Sequence, residues 1–189
     1  TWIEPAFTSL ADAVRPSNHD WHGAQPANLV GGNASMTLLC YRGLAPDFEP
    51  VLIRDWLTST ENSLRIVAPT AADQIHGSHR HDGRWTDDGY RLVGVTSPLR
   101  VVDGSPAGLI RIEGLQVQAG AGPEDHVRAI SVWTAGRVEI SETLVRLDGI
   151  GLGSGLVEAE PGHDHPPVGS EQSGRRSVSG HPDARRQPA

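Results

Sequence analysis

The segment HGSHRHDGRWTDDG, residues 76–89, is the densest concentration of chemically versatile side chains in the sequence. His79 and His81 alternate, so both imidazoles would project to the same side of an extended backbone, and Asp82, Asp87 and Asp88 follow. A zinc site needs several such ligands converging at about 2.0–2.2 Å, and this spacing matches none of the usual zinc motifs. We therefore predict no metal site here and interpret the segment as a polar loop.

Acids and arginines are also the residue types of a polysaccharide lyase. Such an enzyme combines an acidic calcium site with a base that removes the proton next to a uronate carboxylate. The candidates of the right type are Asp87, Asp88, Asp103 and Glu113, with Arg100 or Arg111. Because no nucleophile elbow, phosphate loop or dinucleotide motif is present, no catalytic residue is predicted. We expect no cofactor, and calcium would be needed only by a lyase.

A glycoside hydrolase would need two carboxylates about 5–5.5 Å apart, or about 6.5–9.5 Å apart for inversion. The adjacent acids of TDDG do not meet this requirement in a strand, because neighbouring side chains point to opposite faces. No specific motif in the sequence therefore supports a glycoside hydrolase.

The five tryptophans suggest a binding role. An exposed indole can stack on a sugar ring, whereas a buried one packs the core. Trp56 ends an apolar run and is expected to pack, while Trp85 and Trp133 are candidates for a sugar platform. The residues predicted to contact carbohydrate are Trp85, Asp87, Asp88 and Arg111.

Composition limits the partners. The net charge is -7, and all 16 basic residues are arginine, so charge alone does not favour nucleic-acid binding. No run approaches the ~20 apolar residues of a membrane-spanning helix.

The single cysteine, Cys40, excludes an intrachain disulfide, and its apolar surroundings indicate a buried side chain. No signal peptide is visible in a chain that starts at Thr1, and we nevertheless expect an extracellular or cell-surface location.

One short helix and many short strands are predicted. Thr8 or Ser9 can cap a helix whose apolar face comprises Phe7, Leu10, Ala13 and Val14, and Pro16 would end it. Short apolar or alternating runs follow, separated by Gly, Pro, Asp and Ser. These runs cover residues 36–41, 50–56, 63–69, 90–95, 98–104, 109–117, 128–133 and 137–149.

Two of the strand pairs recur along the chain. Ile110 and Ile112 match Ile130 and Val132 at an offset of 20 residues, and Leu115 and Val117 match Val138 and Ile140 at an offset of 23. A period of twenty-odd residues favours a parallel β-solenoid in which these eight side chains stack in ladders, Ile112 beside Val132. The segment IRIEGLQV is then predicted to form two short strands joined by a corner at the glycine. An antiparallel sandwich or barrel remains the alternative.

From Gly155 onward the sequence contains few aliphatic side chains and cannot bury enough surface to offset its ordering entropy. The predicted organisation is a β-helix segment with its N-terminal cap over residues 1–154 and a disordered tail over residues 155–189. An uncapped last coil would expose strand edges, so self-association through that end is expected.

The segment LLCYRGLAPDFEPVLIRDWLTSTENSLRIVAPT, followed by RHDGRW, YRLVG and LIRIEGLQV, resembles bacterial right-handed parallel β-helix proteins of the pectate-lyase-like superfamily. The resemblance covers roughly residues 4–150 and departs from the family at IRDW, where the family tends to have Ile-Asp-Gly-Trp. It implies an all-β, right-handed parallel β-helix with a short N-terminal capping helix. The same architecture serves lyases, glycoside hydrolases and surface or phage structural proteins, so the fold does not imply the function.

Taken together, the residues and the resemblance predict a structural or carbohydrate-contacting β-helix surface module without catalytic activity. A polysaccharide lyase or glycoside hydrolase is the alternative. The expected partner is a polysaccharide, with no nucleic acid and no membrane span.

Overall fold

A computed structural model describes residues 7–16, 27–71, 78–103, 108–120, 127–148 and 155–161. Within these ranges one short helix precedes eleven short strands. The elements are α1 (Leu10–Ala13), β1 (Met36–Leu39), β2 (Val51–Arg54), β3 (Leu64–Val67), β4 (Arg91–Gly94), β5 (Leu99–Asp103), β6 (Leu109–Glu113), β7 (Gln116–Ala119), β8 (Arg128–Thr134), β9 (Arg137–Ser141), β10 (Leu144–Leu147) and β11 (Gly155–Pro161).

The strands form three parallel sheets. Sheet A has the order β1-β3-β6-β9, sheet B has β4-β7-β10, and sheet C has β2-β5-β8-β11. From β3 onward, successive strands enter sheets A, B and C in turn, so that the chain makes about three turns of a β-solenoid. The predicted parallel solenoid is confirmed, and the antiparallel sandwich is wrong because each pair of named strands is parallel.

The interior is built from apolar ladders that run from coil to coil. Sheet A stacks Ile66, Ile112 and Ile140 in register. Equivalent inward positions are Leu92, Val117 and Val145 in sheet B, and Ile53, Val101 and Val132 in sheet C. The eight residues predicted to point inward all belong to this core or pack against it. Burying each large aliphatic side chain contributes about 1.5–3 kcal/mol, which is how four-residue strands can be stable.

The predicted register between coils is wrong. Ile112 pairs with Ile140, which follows it by 28 residues, and Val132 lies in sheet C beside Val101. Likewise Val117 pairs with Leu92 and Val145 rather than with Ile140. The offsets of 20 and 23 compared strands of different sheets, because alternation between apolar and polar residues is the same in every sheet and does not identify which sheet a strand joins.

The helix forms where the sequence predicts it. Ser9 is the N-cap, and its hydroxyl accepts a hydrogen bond from the Asp12 amide at 3.2 Å. Leu10, Ala13 and Val14 are buried. The Trp56 indole, at the end of the β2 segment, donates to the Val14 carbonyl at 2.9 Å and joins the helix to the first coil. Trp56 is therefore a packing residue, as predicted.

The solenoid continues beyond the boundary predicted for the tail. β11 covers Gly155–Pro161 and pairs in parallel with β8, so this last strand lies within the segment assigned to the tail, where at most a partial strand was expected. An added strand obtains its backbone hydrogen bonds from the preceding coil, and this requires few apolar side chains of its own. The remainder of the predicted tail, residues 162–189, lies outside the described residues.

No helix in the described ranges is long and apolar enough to cross a bilayer.

Candidate functional site

Residues 78–90, here called the docked loop, immediately precede β4 and contain three of the four predicted carbohydrate contacts. Gln116 on β7 attaches the loop to sheet B, since its Oε1 accepts from the Thr86 amide at 2.7 Å and its Nε2 donates to the Thr86 carbonyl at 3.0 Å. Gln116 is completely buried although its side chain lies on the outer face of the sheet. The loop thus covers the start of sheet B and is held there by a paired amide contact.

Arg80 attaches the same loop to the corner between sheets A and B. Its Nε donates to the Ala68 carbonyl at 2.9 Å, and its Nη1 donates to the Glu142 carboxylate at 2.5 Å. Gly114, the corner between β6 and β7, lies directly beneath the guanidinium and has a φ of +72°. The predicted glycine corner is confirmed, and one arginine connects the corners of three successive coils.

Trp85 lies at the edge of a polar cluster on the outer face of sheet B. The Arg146 guanidinium is 5.8 Å from the centroid of the indole ring. Arg146 also donates from Nε to Asp148 at 2.8 Å, and Asp148 accepts a further hydrogen bond from the Gln118 amide. The indole is half-buried, so part of the ring remains accessible to solvent.

Asp87 and Asp88 are solvent-exposed and ion-paired. Asp87 binds Arg91 on β4 at 2.5 Å, and Asp88 binds Arg42, which follows β1. Their side chains are 83% and 86% exposed, so both carboxylates have oxygen atoms available to a ligand. The structure therefore brings Trp85, Asp87 and Asp88 to the same side of the solenoid.

Arg111 lies elsewhere. It is on β6 in sheet A, where its Nε donates to Glu139 at 2.7 Å. Glu113 on the same strand accepts two hydrogen bonds from Arg65, at 3.0 and 2.6 Å. The hydrogen bond from Arg65 is the main reason why the pKa of Glu113 is lowered, and that from Arg111 likewise lowers the pKa of Glu139. Arg111 thus belongs to a charge network on sheet A and not to the Trp85 surface.

An apolar groove lies at the opposite end of sheet B, where the chain turns toward sheet C. It has a volume of about 510 Å³ and is lined by Phe48, Pro50, Val93, Gly94, Val95, Thr96, Ser97, Pro98 and Gly120. Phe48 is 63% exposed and Val95 is 59% exposed. Val93 is paired with Gln118, and Gln118 with Arg146, so one row of outward side chains joins the groove to the Trp85 cluster.

The sequence did not identify several members of this surface. Arg146, Gln118 and Asp148 occupy outward positions in the strand runs LQVQAG and TLVRLDG, and the alternation of those runs is the signal that would have identified them. Phe48 lies outside any strand run, so its exposure follows only from the tertiary fold.

His79 and His81 do not converge on a common point. His79 Nδ1 accepts from the Arg42 amide at 3.1 Å, and its ring is edge-on to Tyr41. His81 Nε2 lies 2.7 Å from the Glu142 carbonyl. Within the ranges that the structure describes, no group of three or more His, Cys, Asp or Glu side chains is arranged to hold a metal ion.

The residues that a lyase would combine are dispersed. Arg111 and Glu113 are on sheet A, Asp87 and Asp88 precede sheet B, and Arg100 is on sheet C with its guanidinium 5.3 Å from the Trp133 ring centroid. They face three sides of the solenoid, so they do not form one active site.

Cys40 is buried, and its pKa is raised mainly by burial and further by the nearby Asp47 carboxylate. It therefore persists as a neutral thiol, which agrees with the packing role predicted for it.

The chain matches no protein-family model, no curated protein and no solved structure. The structure shows a parallel β-solenoid of about three turns, which is compatible with a β-helix fold, and the resemblance to the pectate-lyase-like superfamily stays a prediction from the sequence.

Proposed function

We propose that this protein is a non-catalytic β-solenoid module whose sheet B face binds polysaccharide outside the cell. The observation that carries the proposal is the position of the half-buried Trp85 ring against Arg146, beside the exposed carboxylates Asp87 and Asp88. An indole offers a flat apolar surface to the CH groups of a sugar ring, while carboxylates and amides bind its hydroxyls.

Rigidity supports this role. The docked loop is held by the Gln116 amide and by Arg80, so Trp85 is positioned before any ligand arrives. Side chains ordered in advance lose little further entropy on binding, which increases affinity without additional contacts. A scaffold of this kind suits recognition of an extended polymer.

The dimensions of the surface favour an oligosaccharide segment over a single sugar. Four residues, Phe48, Val93, Gln118 and Arg146, follow one another at successive levels along the sheet B side. Asp47, next to Phe48, bridges to Leu92, and the other three residues are paired in register. With strands about 4.8 Å apart, the row spans roughly 14 Å along the solenoid axis. The apolar groove would accommodate the less polar part of such a chain.

The absence of catalysis is part of the proposal and is supported by the dispersion of the acids. A hydrolase requires two carboxyl groups at a defined separation. The surroundings of one of them must raise its pKa so that it stays protonated and can act as the acid. Here Asp87, Asp88 and Glu113 are each neutralised by a different arginine.

The test is binding of the full chain to immobilised polygalacturonate, alginate and xylan, measured by affinity electrophoresis and calorimetry. We expect at least one of them to bind and the Trp85→Ala variant to bind at least 10-fold more weakly. Trp133→Ala is the matched control, because Trp133 also lies beneath an arginine but on sheet C. Equal loss of binding in both variants, or no binding by wild-type protein, would contradict the proposal, as would release of unsaturated product.

A further inference from the structure

The surface around Trp85 presents several hydrogen-bond donors to solvent. A guanidinium carries N–H groups on all three of its nitrogens, and the Nε–H of Arg146 donates to Asp148 Oδ1 at 2.8 Å. In the part of the chain that the structure describes, Nη1 and Nη2 of Arg146 make no hydrogen bond, and neither does Nε1 of Trp85. The Arg146 side chain is 52% exposed, so a ligand can reach its guanidinium. Two adjacent side chains therefore offer donors to a ligand at one place.

The acceptor in this cluster is already engaged. Asp148 Oδ1 accepts from Arg146, and Asp148 Oδ2 accepts from the side-chain amide of Gln118. Each oxygen of the carboxylate thus has a donor within the protein. A ligand group that complements this part of the surface must therefore supply an oxygen that accepts hydrogen bonds, as a sugar hydroxyl or a sugar carboxylate does.

The orientation of the Arg146 guanidinium is determined by its contacts. Its Cζ lies 5.8 Å from the centroid of the Trp85 ring, which is within the range of a cation–π contact. Arg146 on β10 is paired in register with Gln118 on β7, and Asp148, directly after β10, contacts both side chains. The contact with Asp148 restricts rotation of the guanidinium and keeps its Nη groups beside the indole. A planar donor group that is oriented in advance loses less entropy for each hydrogen bond it forms.

We infer that Arg146 determines the specificity of this surface. Its Nη groups donate to an oxygen of the sugar that stacks on Trp85, and Asp148, itself held by Gln118, is the positioning residue for this contact. The donor role rests on the proposed function, whereas the positioning by Asp148 concerns the free protein alone. A hydroxyl and a carboxylate share the required acceptor chemistry, and polymers with and without carboxylates distinguish between them.

The donor role is tested by binding of the full chain to polygalacturonate, alginate and xylan. Arg146→Met keeps the apolar stem of the side chain but has no donor, and we expect it to bind about 5-fold more weakly or worse. Arg100→Met is the matched control and should bind normally, because Arg100 also lies over an indole, that of Trp133, but on sheet C. A contact to a carboxylate confines the loss to polygalacturonate and alginate, whereas a contact to a hydroxyl extends it to xylan. Equal Trp85-dependent binding by wild type and Arg146→Met would overturn the donor role and leave the proposed function intact.

Asp148→Asn tests the positioning role, because an amide offers one acceptor oxygen where the carboxylate offers two. We expect this variant to bind more weakly than wild type. The double variant Arg146→Met/Asp148→Asn should bind no more weakly than Arg146→Met alone, because Asp148 acts through Arg146 and the two effects are then not additive. Additive losses would show that Asp148 affects binding by another route and would overturn its positioning role.

The free protein provides a test that needs no ligand. In NMR spectra of the full chain, the δ-methylene protons of Arg146 should show an upfield ring-current shift that is absent in Trp85→Leu and clearly reduced in Asp148→Asn. An undiminished shift in Asp148→Asn would overturn the positioning by Asp148. If none of the polymers binds wild-type protein while the ring-current shift behaves as expected, the proposed function and the donor role fail together, and the positioning of Arg146 over the indole stands.

Discussion

The guanidinium of Arg80 lies so close to the Cα of Gly114 that no side chain fits between them. A Cβ added at Gly114 would collide with Nε, Cδ and Cζ of Arg80. The same guanidinium contacts the Ala68 carbonyl and the Glu142 carboxylate, one coil before and one coil after the glycine. The glycine corner therefore serves two purposes, because it turns the chain between sheets and makes room for the arginine that holds the docked loop.

Gly114→Ala should be markedly destabilising. An alanine at φ +72° costs about 1–2 kcal/mol in backbone strain, and displacing Arg80 adds about 1–3 kcal/mol of overpacking. Gly83→Ala is the matched control, since Gly83 has a φ of +91° but nothing within 4 Å of an added Cβ. Urea unfolding should show a larger loss of unfolding free energy for Gly114→Ala than for Gly83→Ala, and equal losses would mean that Arg80 is not constrained by the corner.

Gln116→Met should detach the docked loop from sheet B. Methionine has a similar length but leaves the Thr86 N–H and C=O without their partner, at a cost of about 1–3 kcal/mol for each group that stays buried. The expected result is a lower free energy of unfolding and faster hydrogen exchange at the Thr86 amide. Gln118→Met, two residues along the same strand, should leave that amide unaffected. A protected Thr86 amide in Gln116→Met would contradict the anchoring role.

The stabilising effect of the Arg65–Glu113 pair should disappear in acid. Because the hydrogen bond from Arg65 lowers the pKa of Glu113 in the folded state, the pair stabilises the protein fully above the unfolded pKa of about 4.3. That contribution is lost as the pH falls through the lower folded pKa. Glu113→Gln should therefore be less stable than wild type at pH 7, and the difference should shrink toward zero as the pH falls below 4.

Urea unfolding of wild type and Glu113→Gln at the same series of pH values measures this difference directly. Effects of the histidines cancel, because both proteins contain them. A difference in unfolding free energy that stays constant down to pH 3 would show that the ion pair does not control this part of the acid response.

Cys40 should be unreactive toward thiol reagents in the folded protein. Burial raises its pKa, so the reactive thiolate is scarce, and no reagent can reach the sulfur without unfolding of the first coil. We expect slow labelling by 5,5′-dithiobis(2-nitrobenzoic acid) in buffer and rapid labelling of one thiol in concentrated guanidinium chloride. Rapid labelling of native protein would mean that the first coil opens readily.

Local rules in the sequence determined the elements. Ser9 caps α1 because its hydroxyl satisfies an amide of the first turn, Gly114 turns the corner because it adopts a positive φ, and alternation placed Ile110, Ile112 and Val117 in the core. Each of these features depends on a few neighbouring residues. The solenoid class could also be predicted, because short strands with corners recur along the chain.

Only the tertiary structure decided which strands stack and which side chains share a surface. The repeat is the length of a whole coil, so Ile112 meets Ile140 and not Val132. The docked loop lengthens the preceding coil, so Ile66 meets Ile112 only after 46 positions. Trp85 likewise lies against Arg146, 61 positions later in the chain, because the coils stack on one another. The alternation of apolar and polar residues determines whether each side chain points inward or outward, but this alternation is the same in all three sheets. The choice of sheet therefore depends on the summed length of loops and corners, which no local pattern encodes.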